Sequence, residues 1–294
     1  MRLGRKSGIK KSIEQHTADD FPERVEHMTI QVLLSAMHLE NENYIDTLNV
    51  VTDAVVINQC DRECEREVYR TAVNGAQQKV KYIETTDRGL SRSRNMAIKN
   101  ATADICILCD NDVEYGYGYE GMILRAFESH PDADIIVFYI KRKEKPKPNF
   151  PKEKKMGYLS VLKIFSPEIA FRRRNIANVQ FDENFGAGAK YYMGEENIFL
   201  YECLKKKKRI IYLPVQIATL REEESTWFSG YDERFFTARG ANYAAMTKAF
   251  APLLIWQFAL RKKALYGKET PMLKAVKWMY KGRKEYASIH SRRS

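Results

Sequence analysis

The sequence predicts an α/β protein, a mostly parallel sheet flanked by helices, and three observations carry that reading. From Met28 onward, short apolar β-type runs alternate with longer amphipathic runs. The segments between them are long enough for the crossover helices that parallel strands require. The 294 residues are 44% hydrophobic and 12% aromatic, enough for a sizeable core. No stretch reaches the ~18 consecutive apolar residues of a membrane span. The longest candidate, Ala249–Leu260, is interrupted by Pro252 and Gln257.

The elements follow in order. Residues 1–27 are polar and aperiodic and are expected to form a mobile tail. Thr29–Ser35, Ala54–Asn58, Lys79–Glu84, Ile105–Cys109 and Ala133–Ile140 read as strands. Glu40–Val51, Glu63–Val73, Leu90–Asn100 and Tyr119–His130 read as the helices between them. Lys141–Gly157 holds three prolines and dense positive charge, so it is expected to be a loop. Regular structure resumes near Tyr158–Phe171, Ile210–Leu213 reads as a short strand, and the chain is helical in character from about Arg239. Ligands of such sheets sit beyond the carboxyl ends of the strands. Chemistry is therefore expected just after Ser35, Asn58, Glu84 and Cys109.

The net charge of +11 is unevenly placed. From Arg261 to the end, eleven Lys/Arg face two Glu; from Lys141 to Lys155, eight face two; Lys205–Arg209 is wholly basic. A mildly acidic body with basic patches fits an anionic partner, such as a phosphate or a membrane, as well as plainly solvated faces. No nucleic-acid motif is present, and aromatics do not interleave with the basic runs as stacking platforms would. Five cysteines and no visible secretory signal lead us to expect free thiols and a cytoplasmic location. Cys106 and Cys109 lie in one strand at i and i+3, so they point to opposite faces and cannot share a metal.

Three local patterns carry chemistry. Asp110-Asn111-Asp112 follows the apolar run Ile105–Cys109, and two carboxylates at a strand end suit a hard cation, Mn²⁺ or Mg²⁺. Asp87–Asn95 joins a strand to a helix. Gly89 permits the turn, while Arg92 and Arg94 put positive charge in the first helical turn, against the dipole. A bound nucleoside diphosphate would offset that cost; so would local carboxylates. Gly186–Leu200 runs through small residues to Glu195-Glu196 at a helix start, which suits either a cap or a general base.

In this order the patterns resemble glycosyltransferase family 2, with its GT-A, Rossmann-like fold, of the bacterial capsule and exopolysaccharide type. Arg88–Asp112 resembles the family's Gly, Arg-Asn and Asp-x-Asp stretch, Phe181–Phe199 its acceptor-side segment, and Ser225–Gly240 a later segment. The resemblance implies a catalytic domain over residues 28–238, split into a nucleotide-sugar half (28–115) and an acceptor half (116–238). A basic helical extension (239–294) follows. It implies that Glu196 is the base and Glu195 its support, and that Asp110 and Asp112 hold the metal. It puts the donor against Ser35, Ala36, Asn58, Gln59, Asp61, Gly89, Arg94, Asp110 and Asn111. The activity implied is inverting transfer from a nucleotide-sugar, by default a UDP-sugar, to a saccharide acceptor of the lipid-diphosphate-linked kind, in surface polysaccharide synthesis.

Two donor-side departures stand out. Ser35-Ala36-Met37 replaces a Pro-containing strand end, and Asn58-Gln59-Cys60-Asp61 replaces an acidic strand end, so an amide or Asp61 would read the base. A sugar-phosphate nucleotidyltransferase is the competing enzyme class, but Ser35–Asn43 lacks the glycine-rich phosphate loop it needs. A non-catalytic basic binder of membranes or nucleic acids is the competing non-enzyme class. Finally, Pro271 can open a helix in which Met272, Leu273, Val276, Met279 and Tyr280 share one face and Lys274, Lys277, Lys281 and Lys284 another. That face either lies in an anionic membrane surface, making the protein peripheral on the inner leaflet, or packs on the catalytic domain.

Overall fold

The computed structural model describes residues 28–221 and 230–291. The tail reading for residues 1–27 lies outside them. So do residues 225–229 of the later segment. In chain order the elements are β1 (Ile30–Met37), α1 (Tyr44–Thr47), β2 (Asp53–Gln59), β3 (Cys64–Thr71), β4 (Gln77–Thr85), α2 (Leu90–Asn100), β5 (Ile105–Asp110), β6 (Val113–Tyr115), α3 (Tyr119–Ser129), β7 (Ile135–Lys141), β8 (Lys154–Lys155), β9 (Ile169–Arg172), α4 (Glu195–Lys205), β10 (Ile210–Leu220), α5 (Glu233–Met246), α6 (Ala251–Arg261), α7 (Lys263–Tyr266) and α8 (Met272–Ser291).

The strands form one sheet in the order β3-β4-β2-β1-β5-β9-β7-β10-β6, with β8 against β10. β4, β2, β1 and β5 run parallel. β9 lies antiparallel between β5 and β7, which restores β7 to the direction of β5. The carboxyl ends of β2, β1, β5 and β7 therefore share one edge. Each strand end contributes a loop there, and the candidate site is built from those loops.

Because side chains alternate along a strand, the sheet carries a core on each face. Val32 and Leu34 of β1 pack with Ile123 and Phe127 of α3, while Leu33 faces Ala97 of α2 and the helices that close the chain. Cys106 lies in the second core and Cys109 in the first, as their spacing requires. Burial raises both thiols, that of Cys106 to about 12, which leaves them inert packing groups.

Two expected helices are corrected. Glu40–Val51 holds only the single turn α1. Glu63–Val73 is not helical: β3 pairs antiparallel with β4 through the Asn74-Gly75 turn, where Gly75 has φ of 85°. β3 is an edge strand with charged side chains on both faces, so no apolar alternation marks it. Cross-strand ion pairs hold it instead, among them Lys79–Glu67 at 2.9 Å and Lys81–Glu65 at 2.7 Å. The strand expected at Ile210–Leu213 continues to Leu220, with its register on β7 shifting between Tyr212 and Gln216, around Pro214, which has no N–H to donate.

The C-terminal helices cover one core. α5 is capped by Asp232, whose side chain accepts from Phe235 N–H at 2.8 Å, so the expected boundary at residue 239 falls inside a helix. α8 lies along α5, with Ala275, Val276 and Met279 buried and Met272 and Tyr280 packed against the same core. Of the two alternatives for α8, packing on the domain is the one seen: most of its apolar face is a core face, and Leu273 alone of the five is widely exposed. The two helices touch backbone to backbone. A Cβ added to Gly240 would stand 1.8 Å from Met279 O, and one added to Gly282 would stand 1.9 Å from Thr237 O. Gly240→Ala and Gly282→Ala are each expected to lower stability by about 3 kcal/mol, the upper range for overpacking. Chemical denaturation checks this, and a wild-type midpoint in both variants would contradict the contact.

Candidate active site

The site forms where the loops after β1, β2 and β5 meet the start of α4. Its centre is Arg94 on α2, whose side chain is 1% exposed. One guanidinium nitrogen donates to both carboxylate oxygens of Asp110, at 2.9 and 3.2 Å, and to Ser166 Oγ at 2.9 Å. The other donates to Glu195 Oε1 at 2.7 Å. Burial disfavours the arginine's charge, but Asp110 and Glu195 outweigh it and hold Arg94 cationic. The positive charge in the first turn of α2 is thus offset by protein carboxylates. Arg92 does likewise, pairing with Glu183 at 3.1 Å. Arg94, expected near the nucleotide, is placed as a buried brace between Asp110 and Glu195.

The acceptor-side segment reaches this brace through tight packing. Leu90 N–H donates to Ala187 O at 2.9 Å and Ser91 Oγ to Phe185 O at 2.7 Å, docking the small-residue loop on the start of α2. Gly194 precedes α4 with φ of 86°, and Asn242 of α5 donates to its carbonyl at 2.7 Å. A Cβ at Gly194 would stand 2.3 Å from the Asn242 amide nitrogen, so only glycine fits. This turn points Glu195 inward to Arg94 and leaves Glu196 half-buried beside it. Burial and then the neighbouring Glu195 carboxylate push the Glu196 carboxyl up, to about 8.

On the donor side, several expected contacts prove to be internal. Ser35 Oγ and Ser93 Oγ hydrogen-bond at 2.8 Å. Asn58 accepts from Leu39 N–H at 2.9 Å and donates to Leu39 O at 3.1 Å. Gln59 accepts from Gly89 N–H at 2.7 Å and donates to Ala36 O at 3.5 Å. The Asn58 and Gln59 amides, expected to face a base edge, are buried and engaged in these internal bonds, and they fix the floor of the edge. Asp61 stands exposed at the end of β2 and pairs with Arg88. Asn111 carbonyl accepts from Tyr44 Oη at 2.7 Å, and Asp112 carbonyl accepts from Arg221 N–H at 2.8 Å. These two bonds tie the Asp110–Asp112 turn to α1 and β10.

Sequence reasoning missed Glu84, Arg88 and Ser166. Glu84 is buried at the end of β4, and its carboxyl is held down by Arg62 and, despite burial, by Arg66. Arg88 joins Cys60 O, Thr85 O and Asp61. The strand-end position was the available signal for Glu84. Ser166 had none, being 72 residues from Arg94.

The donor set of Asp110 and Asp112 fits a hard divalent cation, whose remaining positions would go to phosphate oxygens and water. Among the described residues no group of three or more His, Cys, Asp and Glu could hold a metal alone. Removing the brace is expected to be costly: Arg94→Met leaves two carboxylates uncompensated and should lower stability by about 3 kcal/mol or more. Thermal and denaturant unfolding check this, and a fully stable variant would show that the brace is dispensable.

The comparisons agree with this architecture. Residues 49–193 match the family model described as Glycosyl transferase family 2, a match that begins after β1 and ends two residues before Glu195. No curated protein sequence gives a significant match. Among solved structures the chain is similar to the S. aureus TarS fragment 1–349, at a TM-score of 0.54 and 15% identity, covering 82% of this chain and 74% of that one. The same fragment in complex with UDP-GlcNAc gives 0.55 at 15% identity, with 82% and 74% covered. Its complex with UDP gives 0.54 at 15%, with 81% and 72% covered. At such identity the likeness is one of fold. The chain thus has a fold like that of GT-A glycosyltransferases, and its residues 49–193 match the glycosyl transferase family 2 model.

Proposed function

We propose that the chain is an inverting glycosyltransferase that moves a sugar from a UDP-sugar to a hydroxyl of a saccharide acceptor in bacterial surface-polysaccharide synthesis. The observation that carries the reading is the Arg94 brace. It joins the strand-end carboxylate Asp110 to Glu195, beside Glu196, although they are 85 residues apart in sequence. A donor-side and an acceptor-side carboxylate then face one cleft edge. The fold's similarity to structures holding UDP-GlcNAc and UDP supports a UDP-sugar as donor.

In this reading Asp110 and Asp112 hold the donor's cation, and Arg94 keeps Asp110 oriented without entering the cleft. The cation, Mg²⁺ or Mn²⁺, would supply charge neutralisation to the departing diphosphate. Glu195, which accepts from Arg94 at 2.7 Å, orients the start of α4. Glu196, with its raised carboxyl, takes the proton from the acceptor hydroxyl. That oxygen attacks the anomeric carbon from the face opposite the nucleotide, the C–O bond to the diphosphate breaks, and configuration inverts. The segment from the last residue of β7 through β8, Lys141–Lys155, carries six net positive charges, which suits a diphosphate-linked acceptor.

Three outcomes test this. In a screen of UDP-, GDP- and dTDP-sugars, UDP release should require Mg²⁺ or Mn²⁺, and Asp112→Asn should abolish it with little change in unfolding; activity surviving both EDTA and that substitution would refute the donor site. Glu196→Gln should lower turnover by about 10²-fold or more while leaving UDP affinity near normal. A base is active when deprotonated, so wild-type turnover should climb as pH rises through about 8, following the raised Glu196 carboxyl. The climb should be absent from the residual rate of Glu196→Gln. A flat wild-type profile between pH 6 and 9 would remove Glu196 from the role.

A further inference from the structure

The structure assigns a lipid-docking face to α6, and the proposal does not depend on the catalytic reading. The inner side of α6, Ala251, Leu254, Ile255 and Ala259, is buried in the core beside α5 and α8. Its outer side is apolar too. Phe250, Leu253, Trp256 and Leu260 follow one another at steps of three, three and four, the spacing of a single helical face. They are 66%, 66%, 39% and 62% exposed. Scattered exposed leucines need no explanation, but four large apolar groups on one helix face are a docking surface.

The charges identify the occupant. From Arg234 to Lys268 the chain contains no Asp or Glu. Lys248 precedes the stripe, and Arg261, Lys262 and Lys263 follow it, all exposed. A second copy docking face to face across a two-fold axis would bring these like-charged ends toward each other. An anionic lipid surface meets both features at once: the acyl boundary takes the apolar side chains, the headgroups take the cations, and Trp256 sits where indoles favour the interface. No helix among the described residues is long and apolar enough to cross a membrane, so α6 would lie in the plane of the surface. The attachment first sought on α8 therefore belongs to α6, where the apolar face is open.

The test uses the full chain and vesicles of phosphatidylcholine, with and without phosphatidylglycerol. Co-sedimentation should appear with the anionic vesicles and weaken at high salt. Leu253→Ser with Trp256→Ser and Leu260→Ser should lower partitioning by about tenfold or more. Lys262→Glu with Lys263→Glu should lower it by at least fivefold per charge, roughly the effect of losing one surface cation. Circular dichroism and thermal melting should match wild type, since these side chains are exposed. No binding to anionic vesicles at low salt would overturn the proposal, as would equal binding to neutral ones. So would binding that survives both variants. Light scattering adds a further arm: a dimer that the serine variant converts to monomer while vesicle binding persists would assign the face to a second copy and overturn the lipid reading.

Discussion

A buried arginine between two carboxylates is the constraint on which the site depends. Arg94 is enclosed on all sides, and an isolated cation there would be costly to desolvate. Asp110 and Glu195 compensate it with charge-assisted hydrogen bonds, and Ser166 takes a further N–H. The three groups come from the end of β5, the start of α4 and the segment before β9. Asp110 and Glu195 are held in register because neither can leave without uncovering uncompensated charge. Folding of the sheet and positioning of the site are thus the same event.

The rest of the carboxyl edge follows the same logic with neutral groups. Asn58 completes the backbone hydrogen bonds of Leu39 as a strand neighbour would, and Gln59 links the end of β1 to the turn before α2. Buried amides of this kind are fully engaged, so they fix loop shape and leave recognition to groups that reach the cleft. The contrast between Glu195 and Glu196 arises the same way. One carboxylate pairs with a cation; burial, and then that neighbouring carboxylate, make the other harder to ionise.

The C-terminal helices divide apolar surface between interior and exterior. α5 and α8 approach until their glycine positions touch backbone, which seals one core and draws the apolar side of α8 inside. α6 packs beside them with only half of its apolar surface. What one helix hides the other leaves open, and the basic ends of α6 give the open face its chemical character.

The sequence by itself determined the α/β class, the boundaries of α2 and the position of Asp110–Asp112 at a strand end. Period-two and period-3.6 patterns are local and survive in a single chain. It also determined that Cys106 and Cys109 oppose each other. It misread β3 because cross-strand ion pairs, not apolar alternation, hold that edge, and it left open whether the apolar side of α8 meets lipid or the core. Amphipathicity shows that a helix has an apolar side; only packing decides what covers it. The partner of Arg94 was likewise beyond reach, since the charge in the first turn of α2 called for an anion without naming one. Tertiary structure supplied Asp110 and Glu195, 16 and 101 residues away, because the energy of a buried charge depends on what surrounds it in space.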